Sequence, residues 1–197
     1  MGPTDEDLVA AFQDGNAAAF DELVARWERK IHGAIYRIVG ADEDARDLCQ
    51  EAFLKAYRGL GTFKREARFS SWLYQIALNV CRDRIRRRRG KTAVSLDEVE
   101  EGRAGGLRAM APSPLDLVEA RDLRHLVAGA MATLRAEERE VVILKEYQEL
   151  TFPEIAAVLD VPLSTVKTRL YRGLALLRHE LEVQGVRGAL AVPAPMA

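Results

Sequence analysis

Apolar side chains recur along most of this chain at steps of three and four, and no stretch alternates cleanly at every second residue. Residues 16–39 predict a helix with Phe20, Leu23, Val24, Trp27, Ile31, Ile35 and Ile38 on its inner side. Asp42 is placed to cap a second helix, which runs to about Leu60 and carries Ala45, Leu48, Cys49, Ala52, Phe53 and Ala56 on one side. Ser70 or Ser71 is placed to cap a third, reaching Arg88 or Arg89, with Leu73, Ile76, Ala77 and Val80 inside. The period then fails. Residues 90–114 hold four glycines, two prolines and the acidic run DEVEE, which marks a linker. Helical spacing resumes at Pro114 and continues through Leu134, Val141, Val142, Leu144 and Tyr147. A short helix over Phe152–Leu159 and a longer one over Thr165–Glu182 follow. The expected fold is all-α. It has two small helical domains, 1–90 and 114–183, joined by a flexible acidic linker, 91–113, and followed by a flexible tail, 184–197.

Composition changes this picture little, but charge placement changes it a good deal. The chain has 197 residues and a formal net charge of −1. Residues 1–91 carry 17 basic and 14 acidic side chains, residues 92–138 carry 5 and 9, and residues 139–197 carry 7 and 7. Positive charge is concentrated in RDRIRRRRGK, Arg82–Lys91, at the end of the third helix. Two cysteines, Cys49 and Cys81, sit in apolar helical patterns, which favours buried reduced thiols. The acidic N-terminus MGPTDED has no apolar core, and no apolar run approaches the roughly 20 residues of a membrane span. A cytoplasmic protein without membrane insertion is the expectation.

The C-terminal segment TFPEIAAVLDVPLSTVKTRLYRGLALLR reads as a helix-turn-helix. Thr151 and Glu154 form a capping box, Asp160-Val161-Pro162 breaks the chain, and Ser164 is placed to cap the second helix. That helix has the apolar stripe Val166, Leu170, Leu174 and Leu177, and it turns out Ser164, Thr165, Lys167, Thr168, Arg169 and Arg172. Between Ser164 and Arg178 there are four basic residues and no acid. Small hydroxyls allow close approach to DNA, and Lys and Arg reach phosphates or guanine edges.

In the N-terminal half, six of the 13 aromatics fall between Phe53 and Tyr74, just before or within the basic helix. Gln75, Asn79, Arg82, Arg86 and Arg89 recur at helical steps as one outer stripe. Aromatics beside a cationic track hold single-stranded nucleic acid by stacking and charge. Taken one by one, Phe63, Phe69 and Trp72 are better read as core, whereas the ordered polar stripe favours binding. In ARDLCQEAF, Asp44, Asp47 and Glu51 lie near one helix face, which repels phosphate and suits a solvated surface or a protein partner.

Segments of these kinds in this order resemble the small two-domain sigma factors of bacterial RNA polymerase, the extracytoplasmic-function type of the sigma-70 family. The resemblance covers about Ala17–Arg89 and Leu123–Leu181. It rests on DARDLCQEAFLKAYRGL, FKREARFSSWLYQIALNVCRDRIRR and EIAAVLDVPLSTVKTRLYRGLALLR. It implies a role for each segment. Asp44, Asp47, Leu48, Gln50, Glu51 and Phe53 would dock on the β′ clamp of core polymerase, with further contact at the β flap. Phe63, Lys64, Arg65, Arg68, Phe69 and Trp72 would help melt the −10 element, and Asn79, Arg82, Asp83, Arg86 and Arg87 would contact the same region of promoter DNA. Ser164, Thr165, Lys167, Thr168, Arg169 and Arg172 would read the −35 element. The resemblance also implies an anti-sigma factor as a partner and no cofactor. Arg46 stands where the family usually has an acid, and Asp160 where the turn often has glycine.

A free-standing helix-turn-helix regulator is the rival reading. It accounts for the C-terminal unit and leaves the aromatic and arginine stretch without a use. An enzyme is disfavoured: the three histidines and two cysteines are scattered without ligand spacing, and GRAGGLR lacks the Lys-Ser/Thr ending of a phosphate loop.

Overall fold

The computed structural model describes residues 2–64, 67–92 and 125–186. Among these residues there is no strand. Four helices make the N-terminal unit: α1 (Asp5–Gln13), α2 (Ala18–Val39), α3 (Asp42–Leu60) and α4 (Phe69–Thr92). The C-terminal unit holds α5 (residues 125–133), α6 (Ala136–Val142) with a wider π turn at Ile143–Tyr147, α7 (Phe152–Leu159) and α8 (Leu163–Val183). Past residue 92, the expected linker lies outside the described residues, as does the tail beyond 186.

The three predicted N-terminal helices form where the apolar spacing places them. Phe20, Leu23, Trp27, Ile31, Ile35 and Ile38 of α2 are buried against Ala45, Leu48, Cys49, Ala52, Phe53, Ala56 and Leu60 of α3. The small alanines of α3 let the two helices approach closely. Gly40 ends α2 in the left-handed conformation (φ 80°), and its amide bonds the Tyr36 carbonyl at 2.8 Å. Asp42 is not a cap: Ala41 holds that position, and Asp42 is the first helical residue, an acid in the first turn beside His32 (3.4 Å) and Arg46 (2.7 Å).

The sequence reading has no counterpart of α1. Thr4 and Asp7 close a capping box there, with the Asp7 amide on Thr4 Oγ1 at 3.1 Å and the Thr4 amide on Asp7 Oδ2 at 2.9 Å. Leu8 and Val9 are buried, and Phe12 stacks edge-on against Tyr57 with ring centroids 5.3 Å apart. Asp5 bonds Arg26 at 2.6 Å and accepts from Trp27 Nε1 at 3.0 Å. Gln13 donates to the carbonyls of Leu60 (3.0 Å) and Phe63 (2.9 Å), so α1 fixes the turn that leads into α4.

In the C-terminal unit the single helical run expected from Pro114 to Tyr147 is interrupted. Arg135 is extended (φ −61°, ψ 151°), and its amide donates to Glu138 Oε2 at 3.3 Å, which restarts the chain as α6. Val141, Val142, Ile143 and Leu144 pack against Ile155, Val158 and Leu159 of α7 and against Val166, Leu170, Leu174, Leu177 and Leu181 of α8. A Cβ on Gly173 would lie 3.0 Å from Val142 Cγ2, so the missing side chain permits the close crossing of α8 over α6.

The two units touch. Helix α4 is buried on more than one side: Leu73, Tyr74, Ala77, Leu78, Val80 and Cys81 are all inside. Tyr74 packs edge-on against Trp27 (5.9 Å) and donates from its hydroxyl to Gln148 Oε1 at 2.6 Å, in the turn after the π segment. Arg37 of α2 lies over the Tyr147 ring at 4.2 Å.

Candidate nucleic-acid interface

The helix-turn-helix is built much as its sequence suggests. Thr151 and Glu154 close the expected capping box, with the Thr151 amide on Glu154 Oε2 at 2.8 Å. Thr151, and after it Arg68, hold the Glu154 carboxyl below its ordinary value by bonding and facing the charged form. Asp160 takes the left-handed conformation (φ 54°) that ends α7, a position its short polar side chain tolerates. Ser164 does not cap α8. Pro162 does, with its ring fixing φ at −57°, and the Thr165 amide bonds the Pro162 carbonyl at 2.9 Å, so the helix starts earlier than expected.

On α8, Ser164, Lys167, Thr168 and Arg172 are exposed, and Thr165 and Arg169 are half-buried. They share the face opposite Val166, Leu170 and Leu174. Thr168 Oγ1 donates back to the Ser164 carbonyl at 2.9 Å. Lys167 lies 5.9 Å from the Phe152 ring and Lys145 5.1 Å, a small cationic cluster on one aromatic at the start of α7.

At the start of α4, Phe63 and Trp72 stack with ring centroids 4.8 Å apart, both half-buried. A Cβ on Gly59 would lie 3.2 Å from Trp72 Cζ2, so this glycine seats the indole. Lys64 and Arg68 are exposed beside the pair, and Arg65 lies outside the described residues. Phe69 is fully buried among Trp27 and Trp72. It is a core residue with no ring face free for a base, which corrects the expectation that it helps hold a melted strand.

Along α4, Asn79, Arg82, Arg86 and Arg87 are exposed and Asp83 is half-buried. Arg86 pairs with Asp83 at 3.0 Å, one turn away. Arg82 points to the other unit. Its Nε donates to Glu140 Oε1 at 2.9 Å and its Nη2 to Glu140 Oε2 at 2.6 Å, a fork on a carboxylate whose side chain is only 5% exposed. Arg68 pairs with Glu154 at 2.8 Å. Neither partner was legible beforehand, since they lie 58 and 86 residues away.

The acidic face of α3 divides in two. Asp47 and Gln50 are exposed and Glu51 is half-buried, paired with Lys55 at 2.9 Å. Asp44 instead faces α4, where Arg84 (2.9 Å) and Arg88 (3.0 Å) hold it. Leu48 and Phe53 are core residues and present no surface to a partner, so the expectation that they touch polymerase is corrected: their apolar side chains close the α2–α3 interface. Leu54 and Tyr57, which sequence reasoning passed over, are large apolar side chains about half exposed on the same helix. Their spacing of three and six from Glu51 was the available signal.

Both thiols are free and buried, and burial pushes Cys49 up to about 11 and Cys81 to about 12. Among the described residues no cluster of three or more His, Cys, Asp or Glu side chains could hold a metal ion, and no helix is long and apolar enough to cross a membrane.

Comparison with known proteins matches both units. The family described as Sigma-70 region 2 matches residues 23–91, and that described as Sigma-70, region 4 matches residues 124–177. The chain is 33% identical over 182 residues to the ECF RNA polymerase sigma-E factor of Escherichia coli (strain K12), covering 91% of this chain and 95% of that one. It is 36% identical over 172 residues to the ECF RNA polymerase sigma factor SigW of Bacillus subtilis (strain 168), covering 85% and 91%. Among solved structures it is similar to CnrH in complex with the cytosolic domain of CnrY, with 28% identity, a TM-score of 0.67, and 91% and 97% of the two chains covered.

Proposed function

Since the chain belongs to the sigma-70 family of RNA polymerase sigma factors, in its ECF branch, we propose a division of labour among the surfaces described above. The protein is a non-catalytic initiation factor that directs core RNA polymerase to promoters. The exposed part of the α3 face, Asp47, Gln50 and Glu51, docks on the β′ clamp of polymerase, and the C-terminal unit contacts the β flap. Asp44 supports that face from behind by fixing α3 to α4. The Phe63–Trp72 pair with Lys64 and Arg68, and Asn79, Arg82, Asp83, Arg86 and Arg87 beyond them, read and hold the −10 region. Captured bases and neutralised phosphates offset an unstacking cost of a few kcal/mol. Ser164, Thr165, Lys167, Thr168, Arg169 and Arg172 of α8 read the −35 element in duplex DNA.

The observation that carries this reading is the union in one chain of two units. One is a helix-turn-helix whose outward face carries four bases and no acid between Ser164 and Arg178, and the other is a helix, α4, whose outward side chains are asparagine and arginine. Neither surface is large, and holding both on polymerase at a set spacing raises their effective concentration for one promoter. The chain works in the cytoplasm, where polymerase is. A regulatory partner occupies the same surfaces, and the family's anti-sigma factors are the class that fits. CnrH with the cytosolic domain of CnrY is a complex of a similar chain.

Mixing the purified protein with core polymerase tests the reading. The expected result is a stoichiometric complex that starts transcripts at defined positions on duplex DNA. Site-specific DNA binding by the chain alone, with no polymerase association, would overturn it and favour the free-standing regulator.

A further inference from the structure

Helix α1 is anchored at both ends, and the two anchors differ in kind. Thr4 and Asp7 cap its first turn, where Asp5 accepts from Trp27 Nε1 at 3.0 Å. Near its other end Phe12 meets Tyr57 and Phe20, with ring centroids 5.3 and 5.8 Å apart. Gln13, the last residue of α1, holds backbone instead. Its side-chain amide donates to the Leu60 carbonyl at 3.0 Å and to the Phe63 carbonyl at 2.9 Å, 47 and 50 residues along the chain. Leu60 ends α3, so its carbonyl is one that a helix terminus leaves without an intrahelical partner. Phe63 is the ring that stacks on Trp72.

Local bonds give the turn after α3 its shape. The Thr62 amide and hydroxyl each reach the Gly59 carbonyl at 3.1 Å, and the Phe63 amide reaches the Leu60 carbonyl at 3.2 Å. Such bonds do not place the turn against the rest of the unit, whereas the two from Gln13 do. A carboxamide suits this task because its NH2 group carries two hydrogens, one for each carbonyl. Resting on the function proposed above, we propose that Gln13 is a positioning residue for the −10 site: by holding the Leu60 and Phe63 carbonyls it sets the Phe63–Trp72 stack, with Lys64 beside it, in the orientation that receives the melted strand. Gly59 makes room for the indole and Gln13 sets the Phe63 backbone, so both partners of the stack are located. Rings already held in their binding orientation lose less freedom when a base arrives, which raises affinity for the strand. Helix α1 itself touches no DNA in this scheme and acts through the turn.

The chain has two tryptophans, and each reports on a different end of α1: Trp27 through Asp5, and Trp72 through Phe63 and Gln13. Fluorine NMR of the full chain labelled with fluorotryptophan reads both, with the lines assigned through Trp72→Phe. Wild type is compared with Gln13→Met, which keeps the side-chain length and removes the donors, and with Gln13→Lys, whose ammonium donates again. Thr4→Ala, which weakens α1 at its far end, is the control. In Gln13→Met the Trp72 line is expected to move by more than its width while the Trp27 line stays. Gln13→Lys should return the Trp72 line at least halfway, and Thr4→Ala should leave it in place. The second readout is initiation with core polymerase on a promoter taken from starts mapped for wild type. Gln13→Met should initiate about tenfold more slowly on duplex DNA and stay within about threefold of wild type on the same DNA premelted over its −10 region, because base capture offsets unstacking only where bases are still paired. An unmoved Trp72 line overturns the proposal. So do both lines moving together, or the Trp72 line moving equally in Thr4→Ala, since Gln13 would then support the fold in general. Equal losses on the two templates overturn it as well. If circular dichroism shows Gln13→Met unfolded, Gln13→Asn, one carbon too short for both carbonyls, carries the same comparison. The two proposals fail separately. A Trp72 line that moves in a protein whose wild type supports no initiation counts against the function, and wild-type initiation with an unmoved Trp72 line in Gln13→Met counts against the role of Gln13 alone.

Discussion

Arg88 reaches back 44 residues along the chain to Asp44, with its Nη1 on Asp44 Oδ2 at 3.0 Å, and Arg84 binds the other carboxylate oxygen at 2.9 Å. Asp44 is thus a clasp between α3 and α4, whereas Asp47, one turn on, is exposed. The two acids have separable effects. Asp44→Ala lowers the stability of the N-terminal unit by on the order of 1 kcal/mol, the scale of a partly exposed ion-pair cluster. Asp47→Lys leaves stability within about half of that and weakens polymerase binding. Urea denaturation and a polymerase affinity measurement on both variants check this. Equal stability losses, or unchanged polymerase affinity in Asp47→Lys, would remove the distinction.

Gly173 governs the crossing of α8 over α6. With Val142 Cγ2 only 3.0 Å from where a Cβ would stand, and Glu138 Cβ at 3.5 Å, Gly173→Ala requires the packed Val142 side chain to give way by a few tenths of an ångström. A cost of about 1–3 kcal/mol is expected from overpacking, reduced by alanine's better helix propensity. Thermal unfolding reads it directly. A variant as stable as wild type would mean that the crossing is looser than described.

How far the sequence discloses this arrangement depends on the range of the interaction. Phe20, Leu23, Trp27 and Ile31 on α2 and Val166, Leu170, Leu174 and Leu177 on α8 are readable because one helix repeats its own period. Thr151 and Glu154 are readable because a cap is local. Helix α1 was missed because nine residues with Leu8, Val9 and Phe12 give little periodic signal, although the Thr4–Asp7 box was there to see. The resemblance gives Phe69 to DNA, whereas the aromatic taken alone reads as core, and core is where it lies. Glu154 is legible in the sequence only as part of its cap, and Glu140 carries no signal of its own. Their arginine partners come from the other end of the chain, and no periodicity links residues 58 and 86 positions apart.

The capping box of α7 gives the C-terminal unit a pH dependence with a definite sign. Thr151 and then Arg68 lower the Glu154 carboxyl in the folded state below its ordinary 4.5. A lowered folded-state value means stability that is complete above about pH 4.5 and is lost as pH falls through that lower value. Wild-type stability should therefore fall more steeply than that of Glu154→Gln on acidification below that point. Parallel curves for the two proteins would contradict the assignment.

Cys49 and Cys81 are buried, and burial raises both thiols, to about 11 and about 12. At pH 8 the thiolate needed for alkylation is scarce and enclosed. Native protein should resist iodoacetamide for hours, and protein in denaturant should take up two adducts, as counted by intact mass. Rapid labelling of the native chain would show that the α3–α4 core opens readily.

The central claim is that this one chain gives polymerase both of its promoter contacts. Mapping transcript starts on fragmented genomic DNA, with core polymerase in the presence and absence of the protein, tests it most directly. The account predicts a set of new starts that appear only with the protein, each preceded by the same −35 and −10 pair at a fixed spacing. New starts with no shared pair, or the same starts with core polymerase alone, would contradict it.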